Sequence, residues 1–341
     1  MKVITFGEIL LRLAPQGHKR LFQNDIFETS FCGSEANVAV SLANFGIDSC
    51  FVTKVPDNEV GQAAINSLRY FGVDTSKVIK GGERLGLYYL EKGASQRPSK
   101  VLYDRVFSAI ANSNVEDFNW DHIFDGAEWF HFSGINPSLS ASMSKISLAA
   151  CKIAKEKGIT ISCDINYRSK LWSKEQAKET MTELMRYVDV CIGNEEDAEN
   201  VFGIKAENTD VIRGSVDHKS YEEVAKKISD QFGCKHVAIT LRTSLSASTN
   251  KWAGMLYSLN EDKYALSKEY TIDIIDRVGS GDSFAAGTIY SLLNKSTAQD
   301  AVEFAVAASC LKHTQEGDFN RVSVQDVLAL AGGDSSGRVK R

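Results

Sequence analysis

Proline is rare in this sequence, and positive charge is not in excess. Only 4 of the 341 residues are proline and 43% are hydrophobic, a composition that excludes collagen-like chains and proline-rich disordered chains. The 39 lysine and arginine residues are outnumbered by 44 aspartate and glutamate residues, which gives a formal net charge of −5. The chain therefore lacks the basic field that dominates binding to nucleic acids and to anionic membranes, and we expect neither as a partner.

Long hydrophobic runs and paired cysteines are also missing. The apolar stretch Ala301–Leu311 is interrupted by Glu303 and is shorter than the ~20 residues that a bilayer requires, so we predict no membrane span. The 7 cysteines are scattered and form no Cys-x-x-Cys pair. This pattern argues against a disulfide framework and a zinc site and is typical of a reducing compartment, so we expect a cytoplasmic protein.

Short runs rich in β-branched residues alternate with helical patterns along most of the chain. Apolar residues recur at helical spacing in Asn37–Asn44 and Glu59–Phe71. The predicted strands are Val3–Phe6, Ser49–Val55, Trp129–Phe132, Thr160–Asp164, Val188–Ile192 and His236–Leu241. Strands that alternate with helices predict an α/β fold with a mostly parallel sheet.

Two stretches, at about residues 12–31 and 84–110, break this alternation. They have the pattern of paired strands and contain apolar and aromatic side chains, such as Tyr89 and Tyr103, that are costly to leave in water. We interpret them as a small β-sheet lid that is covered by substrate, by a partner subunit or by both, and we expect a homodimer through the lid. We predict one domain over residues 1–330 and a disordered polar tail over 331–341.

The strongest local pattern is Asp276-Arg-Val-Gly279-Ser280-Gly281-Asp282, which follows an apolar run and opens a helix. Backbone N–H groups at a helix start have no partner within the helix and lie at the positive end of its dipole, so the Gly279–Gly281 turn can bind an oxyanion or a phosphate. Asp282 beside that turn can accept a proton from an attacking hydroxyl. The alternative is that Asp282 only satisfies the helix dipole, which favours acids in a first turn.

A second glycine-led helix start lies at Gly33-Ser34-Glu35-Ala-Asn37. Ser34 is the predicted N-cap of that helix. The side-chain amide of Asn37 can hydrogen-bond to a polyhydroxylated ligand. Taken alone, the pattern agrees equally well with an Asn37 that satisfies neighbouring backbone groups.

Together, these two segments resemble the paired motifs of the PfkB (ribokinase-like) family of carbohydrate kinases. The Gly33-x-x-x-Asn37 helix start and the Asp276–Asp282 run occur in the order of that family, and the resemblance covers about residues 1–330. It implies a ribokinase-like three-layer α/β/α core with a small β-sheet lid, and it implies ATP and Mg²⁺ as co-substrate and cofactor. No Gly-x-x-x-x-Gly-Lys-Ser/Thr run is present, so a kinase of this sequence uses no P-loop.

Within that family, the segments Gly86–Gly93, Arg97–Arg105 and Asp164–Trp172 resemble the kinases that act on 2-keto-3-deoxygluconate. A sugar acid of this kind needs a guanidinium group for its carboxylate and tyrosine or amide groups for its hydroxyls. Two choices stay open: Tyr88 and Tyr89 alternate on a strand, so that only one can face the ligand, and Arg168 could contact an ATP phosphate instead. The implied substrate site comprises Gly33, Ser34, Asn37, Tyr89, Tyr103, Arg105, Arg168, Asp282 and Asp318.

The same resemblance implies a nucleotide site. Asn194-Glu-Glu-Asp197 is similar to the family's Asn-x-x-Glu motif for hydrated Mg²⁺, with Asp197 in place of the usual glutamate, and we expect Asp197 to act on the metal through water. The alternative for Asp197 is an acid that the helix dipole favours. Arg242 stands where the family commonly has a glycine. The implied ATP-binding residues are Asn166, Arg168, Asn194, Thr240, Arg242, Gly279 and Gly281, and the implied catalytic residues are Asp282, Gly279, Ser280 and Gly281.

The reaction that the resemblance implies is transfer of the ATP γ-phosphoryl group to the 6-hydroxyl of 2-keto-3-deoxygluconate, in sugar-acid catabolism. Two alternatives remain: a PfkB kinase for another sugar such as fructose, and a catalytically silent sugar-acid sensor. A Rossmann-type oxidoreductase is disfavoured, because Gly7 is followed by Glu8-Ile9-Leu10 and not by a Gly-x-Gly-x-x-Gly run.

Overall fold

A computed structural model describes residues 1–194, 196–205 and 218–334. The strands, in chain order, are β1 (Lys2–Phe6), β2 (Leu10–Pro15), β3 (Phe27–Cys32), β4 (Asp48–Val52), β5 (Lys54–Val55), β6 (Ile79–Lys80), β7 (Gly86–Glu91), β8 (Lys100–Asp104), β9 (Trp129–Ser133), β10 (Thr160–Asp164), β11 (Val190–Asn194), β12 (His236–Ser244), β13 (Thr249–Ser258), β14 (Lys263–Leu266) and β15 (Tyr270–Asp273). The helices are α1 (Ser34–Asn44), α2 (Glu59–Arg69), α3 (Trp120–Ile123), α4 (Ile135–Ser138), α5 (Ala141–Glu156), α6 (Lys174–Met185), α7 (Asp197–Phe202), α8 (His218–Phe232), α9 (Ser280–Leu293), α10 (Ala298–His313) and α11 (Val324–Ala331). Of the predicted tail at 331–341, residues 335–341 lie outside the described residues.

The central sheet has the strand order β14-β13-β12-β11-β10-β9-β1-β4, and β15 also pairs with β13. All pairings from β4 to β12 are parallel, whereas β13 pairs antiparallel with β12, β14 and β15. The prediction of an α/β fold with a mostly parallel sheet is confirmed. The antiparallel edge was missed because β13 follows β12 as a hairpin, with no helix between them to continue the alternating pattern.

Helices cover both faces of this sheet. Along β1, Ile4 and Phe6 pack in the cluster that includes side chains of α5 and α6, whereas Val3 packs on the other side with α1, α9 and α10. Phe130 and Trp129 of β9 divide in the same way. Side chains alternate across a strand, so a parallel sheet with two apolar faces needs a layer of helices on each face. The three-layer α/β/α core is therefore confirmed.

A second sheet, which we call the small sheet, consists of β3, β2, β7 and β8 in that order. Its strands lie in or next to the two segments predicted to form the lid, and residues 105–110 at the end of the second segment form no strand. One face of the small sheet carries Cys32, Tyr88 and Leu90, which pack around Val278 just before α9. The small sheet therefore rests on the turn that the sequence predicts to bind an anion.

Every cysteine of the chain is free and buried. Burial raises the pKa of the Cys32 thiol well above its usual value, and it does the same for Cys163 and Cys191. None of the helices in the described ranges is both long and apolar enough to cross a membrane.

Candidate active site

A cavity of about 560 Å³ opens where the carboxyl ends of the parallel strands meet the small sheet. Asp164 ends β10, Asn194 ends β11, and Thr240 lies opposite Asn194 on β12. Ligands of α/β sheets bind at this edge, because the loops that follow parallel strands all open there. The small sheet and its flanking segments supply the facing wall with Leu10, Tyr88, Val101, Tyr103 and Arg105.

Asp282 lies in the first turn of α9, where the starts of α9 and α1 meet. Its Oδ1 accepts a hydrogen bond from Ser34 Oγ (2.8 Å), and its Oδ2 accepts one from Asn37 Nδ2 (2.6 Å). The N-cap of α1 is Gly33, so the prediction that Ser34 is the N-cap is wrong. A Cβ on Gly33 would lie 1.9 Å from the carbonyl oxygen of Glu8, which explains why glycine takes that position. The Ser34 hydroxyl is thereby left to orient Asp282.

The environment of Asp282 makes it a stronger proton acceptor than a solvated aspartate. Burial raises the pKa of Asp282 to about 6, although the hydrogen bonds from Asn37 and Ser34 lower it in part. A carboxylate with this pKa is ionised at neutral pH and still binds a proton readily, which is the balance that a general base requires.

The turn before Asp282 presents unpaired backbone N–H groups. Gly279 is the N-cap of α9 and has a φ of 82°, in the left-handed region that favours glycine. A Cβ on Gly279 would also lie 2.1 Å from the carbonyl oxygen of Asp318. Among the described residues, none accepts a hydrogen bond from the N–H group of Gly281 or of Asp282. Both residues line the cavity, so the turn can bind an anion there.

Arg105 reaches the cavity from the end of β8, and Glu8 holds it. Its Nε donates to Glu8 Oε2 (2.7 Å), its Nη2 pairs with the same oxygen, and both side chains are buried. Ser108 Oγ donates to the other oxygen of Glu8 (2.5 Å). The Arg105 guanidinium also lies 5.2 Å from the centre of the Tyr103 ring. Glu8 therefore fixes the orientation of Arg105 and supplies the negative charge that its burial requires.

The loop after β10 brings Asn166 and Arg168 to the same cavity. Asn166 has a φ of 42°, and its Nδ2 donates to Ser34 Oγ (3.3 Å) and to Asp164 Oδ2 (3.4 Å). Arg168 is exposed at the rim and donates to the carbonyl oxygen of Tyr167 (3.1 Å). Its positive charge lowers the pKa of Asp164 and of Asp282 in part. Arg168 thus lies close enough to the acids to interact with an anion bound among them.

Asp164 and Asp197 bring two buried carboxylates to the cavity. Burial raises the pKa of both, and the charge of Asp197 raises that of Asp164 further. The oxygens of Asp197 accept backbone hydrogen bonds from Tyr167 (3.1 Å) and Asn194 (3.0 Å). Within the described ranges, no three acids, histidines or cysteines converge closely enough to hold a metal directly. Two buried acids whose repulsion a cation would relieve fit a Mg²⁺ ion that is held through water.

The end of the cavity beside β12 and β13 carries two arginines, Arg242 and Arg277. Burial lowers the pKa of Arg277, and the charge of Arg242 lowers it further. Arg277 Nη2 donates to the carbonyl oxygen of Ala247 (2.9 Å). Two cations that destabilise one another's charge favour the binding of an anion between them, and a phosphate chain meets that requirement.

Comparison with known proteins agrees with this geometry. The family model described as pfkB family carbohydrate kinase matches residues 1–323. The chain belongs to the pfkB family of carbohydrate kinases. The solved structure of a 2-dehydro-3-deoxygluconokinase from Thermotoga maritima is similar to this kinase with a TM-score of 0.94 and 50% identity, over 98% of this chain and 100% of that one.

Two curated relatives of this carbohydrate kinase are more distant in sequence. A 2-dehydro-3-deoxygalactonokinase from Haloferax volcanii is 28% identical over 335 residues, which are 98% of each chain. A 2-dehydro-3-deoxygluconokinase from Bacillus subtilis is 26% identical over 336 residues, which are 96% of this chain and 94% of the relative.

The fold of this kinase brings nearly all of the predicted site residues to one cavity. Asp318 is among them, although its Oδ1 and Oδ2 already accept hydrogen bonds from Tyr88 and Arg12. The predicted residues that line the cavity are Gly33, Ser34, Asn37, Tyr103, Arg105, Asn166, Arg168, Asn194, Asp197, Thr240, Arg242, Gly279, Ser280, Gly281, Asp282 and Asp318.

Tyr89 is the exception. In the strand register Tyr88 pairs with Tyr103 and Tyr89 pairs with Leu102, so that the two tyrosines of β7 lie on opposite faces. Tyr88 lines the cavity, whereas the Tyr89 ring packs 6.2 Å from the rings of Phe22 and Phe27. The predicted substrate residue Tyr89 therefore does not reach the cavity, and its neighbour Tyr88 lines it instead.

Sequence reasoning also missed several cavity residues of this kinase. Glu8 follows β1 and Asp164 ends β10, and an acid at the carboxyl end of a predicted parallel strand is a signal that could have found both. Glu35 lies in the first turn of α1, in a motif already singled out, and its Oε1 accepts the N–H of Ser133 (2.8 Å). No local pattern marks Trp252, because only the pairing of β12 with β13 brings it to the cavity. Arg277 lies within the Asp276–Asp282 run already singled out, but its side chain was not identified as part of the site.

We expect kcat/KM of this kinase to fall about tenfold per pH unit below about pH 6. This expectation takes the carboxylate form of Asp282 as the proton acceptor, and that form is lost as the pH falls through its raised pKa of about 6. The measurement is a pH–rate profile between about pH 5 and about pH 8.

Glu35→Gln is the control for that profile, because burial raises the pKa of Glu35 to about 7. The variant keeps an acceptor for the Ser133 N–H group, and its kcat/KM should still fall below about pH 6. If kcat/KM of Glu35→Gln no longer falls there, the titrating group is Glu35.

Proposed function

We propose that this protein transfers the γ-phosphoryl group of ATP to the 6-hydroxyl of 2-dehydro-3-deoxy-D-gluconate, also called 2-keto-3-deoxygluconate. The observation that carries the proposal is one cavity in which a general base and an anion-binding turn lie together with Arg105 and Arg168. A kinase for a neutral sugar has no use for guanidinium groups beside its acceptor, whereas a sugar acid does. The 50% identity to the Thermotoga maritima enzyme supports the same substrate.

In this proposal Asp282 removes the proton of the attacking hydroxyl. Ser34 and Asn37 hold the carboxylate, so that no reorientation is needed when the proton is transferred. The hydroxyl oxygen attacks the γ-phosphorus while the bond to the ADP oxygen breaks. The N–H groups of Gly281 and Asp282 then stabilise the charge on the oxygens of the transferring group.

The acids and arginines around that centre bind the nucleotide. Mg²⁺, when bound, neutralises the charge of the phosphate oxygens and aligns them. Asp164 and Asp197 would hold the ion through water. Asn194 Oδ1 fixes the backbone at Asp197 by accepting a hydrogen bond from the Asp197 N–H group (3.1 Å). Arg242 contacts the phosphates or ribose of ATP from the far end, next to Thr240.

The sugar acid lies against the small sheet. Tyr103, Arg105 and Arg168 orient its carboxylate and hydroxyls, and Tyr88 covers the same wall. The small sheet closes this side of the cavity to water, which suppresses transfer of the phosphoryl group to water in place of the sugar.

The experiment that tests the proposal measures ADP release with Mg-ATP against 2-keto-3-deoxygluconate, its galacto epimer, fructose, ribose and adenosine. The galacto epimer is included because the Haloferax volcanii relative is a 2-dehydro-3-deoxygalactonokinase. We expect turnover on the keto-deoxy acids alone. Turnover on a neutral sugar alone would overturn the assignment of a sugar acid as the substrate. Binding of the acid without turnover would favour a catalytically silent sensor.

Asp282→Ala should lower kcat by about 10²–10⁴-fold with little change in the KM for the acid, because general-base catalysis is lost while the binding contacts remain. The matched control is Asp300→Ala, which removes an exposed acid from the first turn of α10. Near-normal turnover of Asp282→Ala, or an equal loss of kcat in Asp300→Ala, would mean that Asp282 only interacts with the helix dipole and does not act as a base.

Arg168→Ala should raise the KM for the sugar acid about 10–100-fold and leave the KM for ATP within about threefold, because a charged hydrogen bond to the carboxylate is lost. The comparison uses initial rates with each substrate varied in turn. Equal increases in both KM values would place Arg168 on the nucleotide.

We infer in addition that the protein is a homodimer through the outer face of the small sheet and its loops. Phe22 and Ile26, in the loop between β2 and β3, are 72% and 69% exposed there. The Phe22 ring meets the Phe27 ring edge-to-face at 5.4 Å, and both rings lie 6.2 Å from that of Tyr89, so these three rings form a continuous apolar surface. A second copy that places the same face against it would remove that surface from water.

Light scattering should therefore give twice the chain mass of 37.5 kDa, and Ile26→Asp should give the monomer mass. Leu328→Asp on α11 is the control, since Leu328 is 55% exposed but lies away from the small sheet. A wild-type protein that is monomeric at working concentration would contradict the dimer.

A further inference from the structure

A buried ion cluster joins the small sheet to the turn before α9. Arg12 of β2 is 3% exposed and uses both ends of its guanidinium group. Its Nη1 donates to Asp318 Oδ2 (2.6 Å), and its Nη2 donates to Asp276 Oδ2 (2.7 Å). Among the described side chains, Arg12 alone hydrogen-bonds to both of these acids.

The two acids belong to the two segments that shape the anion-binding turn. Asp276 begins that turn, and its Oδ1 accepts the N–H of Val278 (3.3 Å). Asp318 packs its own carbonyl oxygen against Gly279, where a Cβ would lie only 2.1 Å away. The position of Gly279 is thus set on one side by Asp276 and on the other by Asp318.

The same face of the small sheet covers the cavity. Tyr88 is the strand neighbour of Arg12, and its hydroxyl donates to Asp318 Oδ1 (2.6 Å). Burial raises the pKa of Tyr88, so the phenol stays protonated and keeps donating. Tyr88 lines the cavity beside Tyr103. The inner face of the small sheet therefore contacts both the cavity and the turn before α9.

Two lysines also lie close to this cluster. Lys312 of α10 is fully buried, and its Nζ donates to the carbonyl oxygens of Asp276 and Gln315, both at 3.4 Å. Lys92, just after β7, lies 4.0 Å from Asp276 Oδ2. Arg12 differs from both lysines because its planar fork reaches two carboxylates at once, which a single ammonium group on a flexible stem cannot do.

We propose that Arg12 is a positioning residue for phosphoryl transfer, which makes the geometry of the Gly279–Asp282 turn depend on the small sheet being seated over the cavity. The inference rests on the proposed function, because that turn is assigned to the transferring phosphoryl group. Loss of the bridge would shift the amides away from that group, and a misplacement of about 1 Å can cost about a hundredfold in rate.

The test compares Arg12→Lys with Arg97→Lys. The first variant keeps the charge and loses the two-acid bridge. The second makes the same change in an arginine whose ion pair, with Glu91, stays within the small sheet, and whose other hydrogen bond goes to the carbonyl oxygen of His18. Arg12→Lys should lower kcat about 10–100-fold, leave the KM for the sugar acid within about threefold, and speed amide hydrogen exchange in the segment 277–283. Arg97→Lys should change neither quantity beyond about twofold.

Asp318→Asn is the second variant, and it should shift kcat and exchange in the same direction because it weakens the bridge from the other side. A folded Arg12→Lys protein with wild-type kcat and exchange would overturn the proposal. The proposal would also be overturned if the fractional loss of kcat in Arg12→Lys equalled the fraction of unfolded protein, since Arg12 would then only stabilise the fold. If the wild-type protein turns over no substrate of the panel, the proposed function fails, and the exchange comparison still decides whether Arg12 fixes the turn.

Discussion

The unpaired amides at the start of α9 impose the constraint on which the rest of the site depends. A turn that presents its N–H groups to a cavity needs a left-handed residue with no side chain, and Gly279 supplies it. A negative ligand on those amides would repel Asp282 one residue away, unless donors from elsewhere hold that carboxylate. Ser34 and Asn37 are those donors, so the starts of α1 and α9 have to meet. An anion can therefore bind at the start of α9 only if the start of α1 lies beside it, so the two glycine-led helix starts depend on each other.

The order of the parallel strands then distributes charge along the cavity. Arg242 lies at the β12 end, the acids Asp197 and Asp164 follow at β11 and β10, and Arg105 enters from the small sheet. Two anionic substrates could therefore approach from opposite ends toward a central group of carboxylates that a bound cation would neutralise. Neighbouring strands of a parallel sheet lie about 4.8 Å apart, so the spacing between these charges is set by the backbone.

Local patterns predicted the parallel sheet and both glycine turns, because both follow from backbone requirements that neighbouring residues reveal. Most of the other cavity residues were predicted only through the resemblance to the carbohydrate kinase family. Pairings between distant segments could not be predicted in this way. The alternation in β7 shows that Tyr88 and Tyr89 face opposite sides, but only the register with β2 decides which one faces inward. Arg105 is similar: its partner Glu8 is 97 residues away in sequence, and no local pattern joins them.

The placement of the cysteines gives the molecule a built-in reporter. Cys32 lies on the inner face of the small sheet against Val278, whereas Cys50, Cys151, Cys163, Cys191 and Cys234 are in the core on one side of the central sheet and Cys310 is in the core on the other. Buried thiols with raised pKa values are protonated and shielded, so they do not react while the structure is closed. Chemical labelling of Cys32 alone would register separation of the small sheet from the body, and labelling of all seven would register unfolding. One alkylating reagent can therefore distinguish two kinds of opening without any engineered probe.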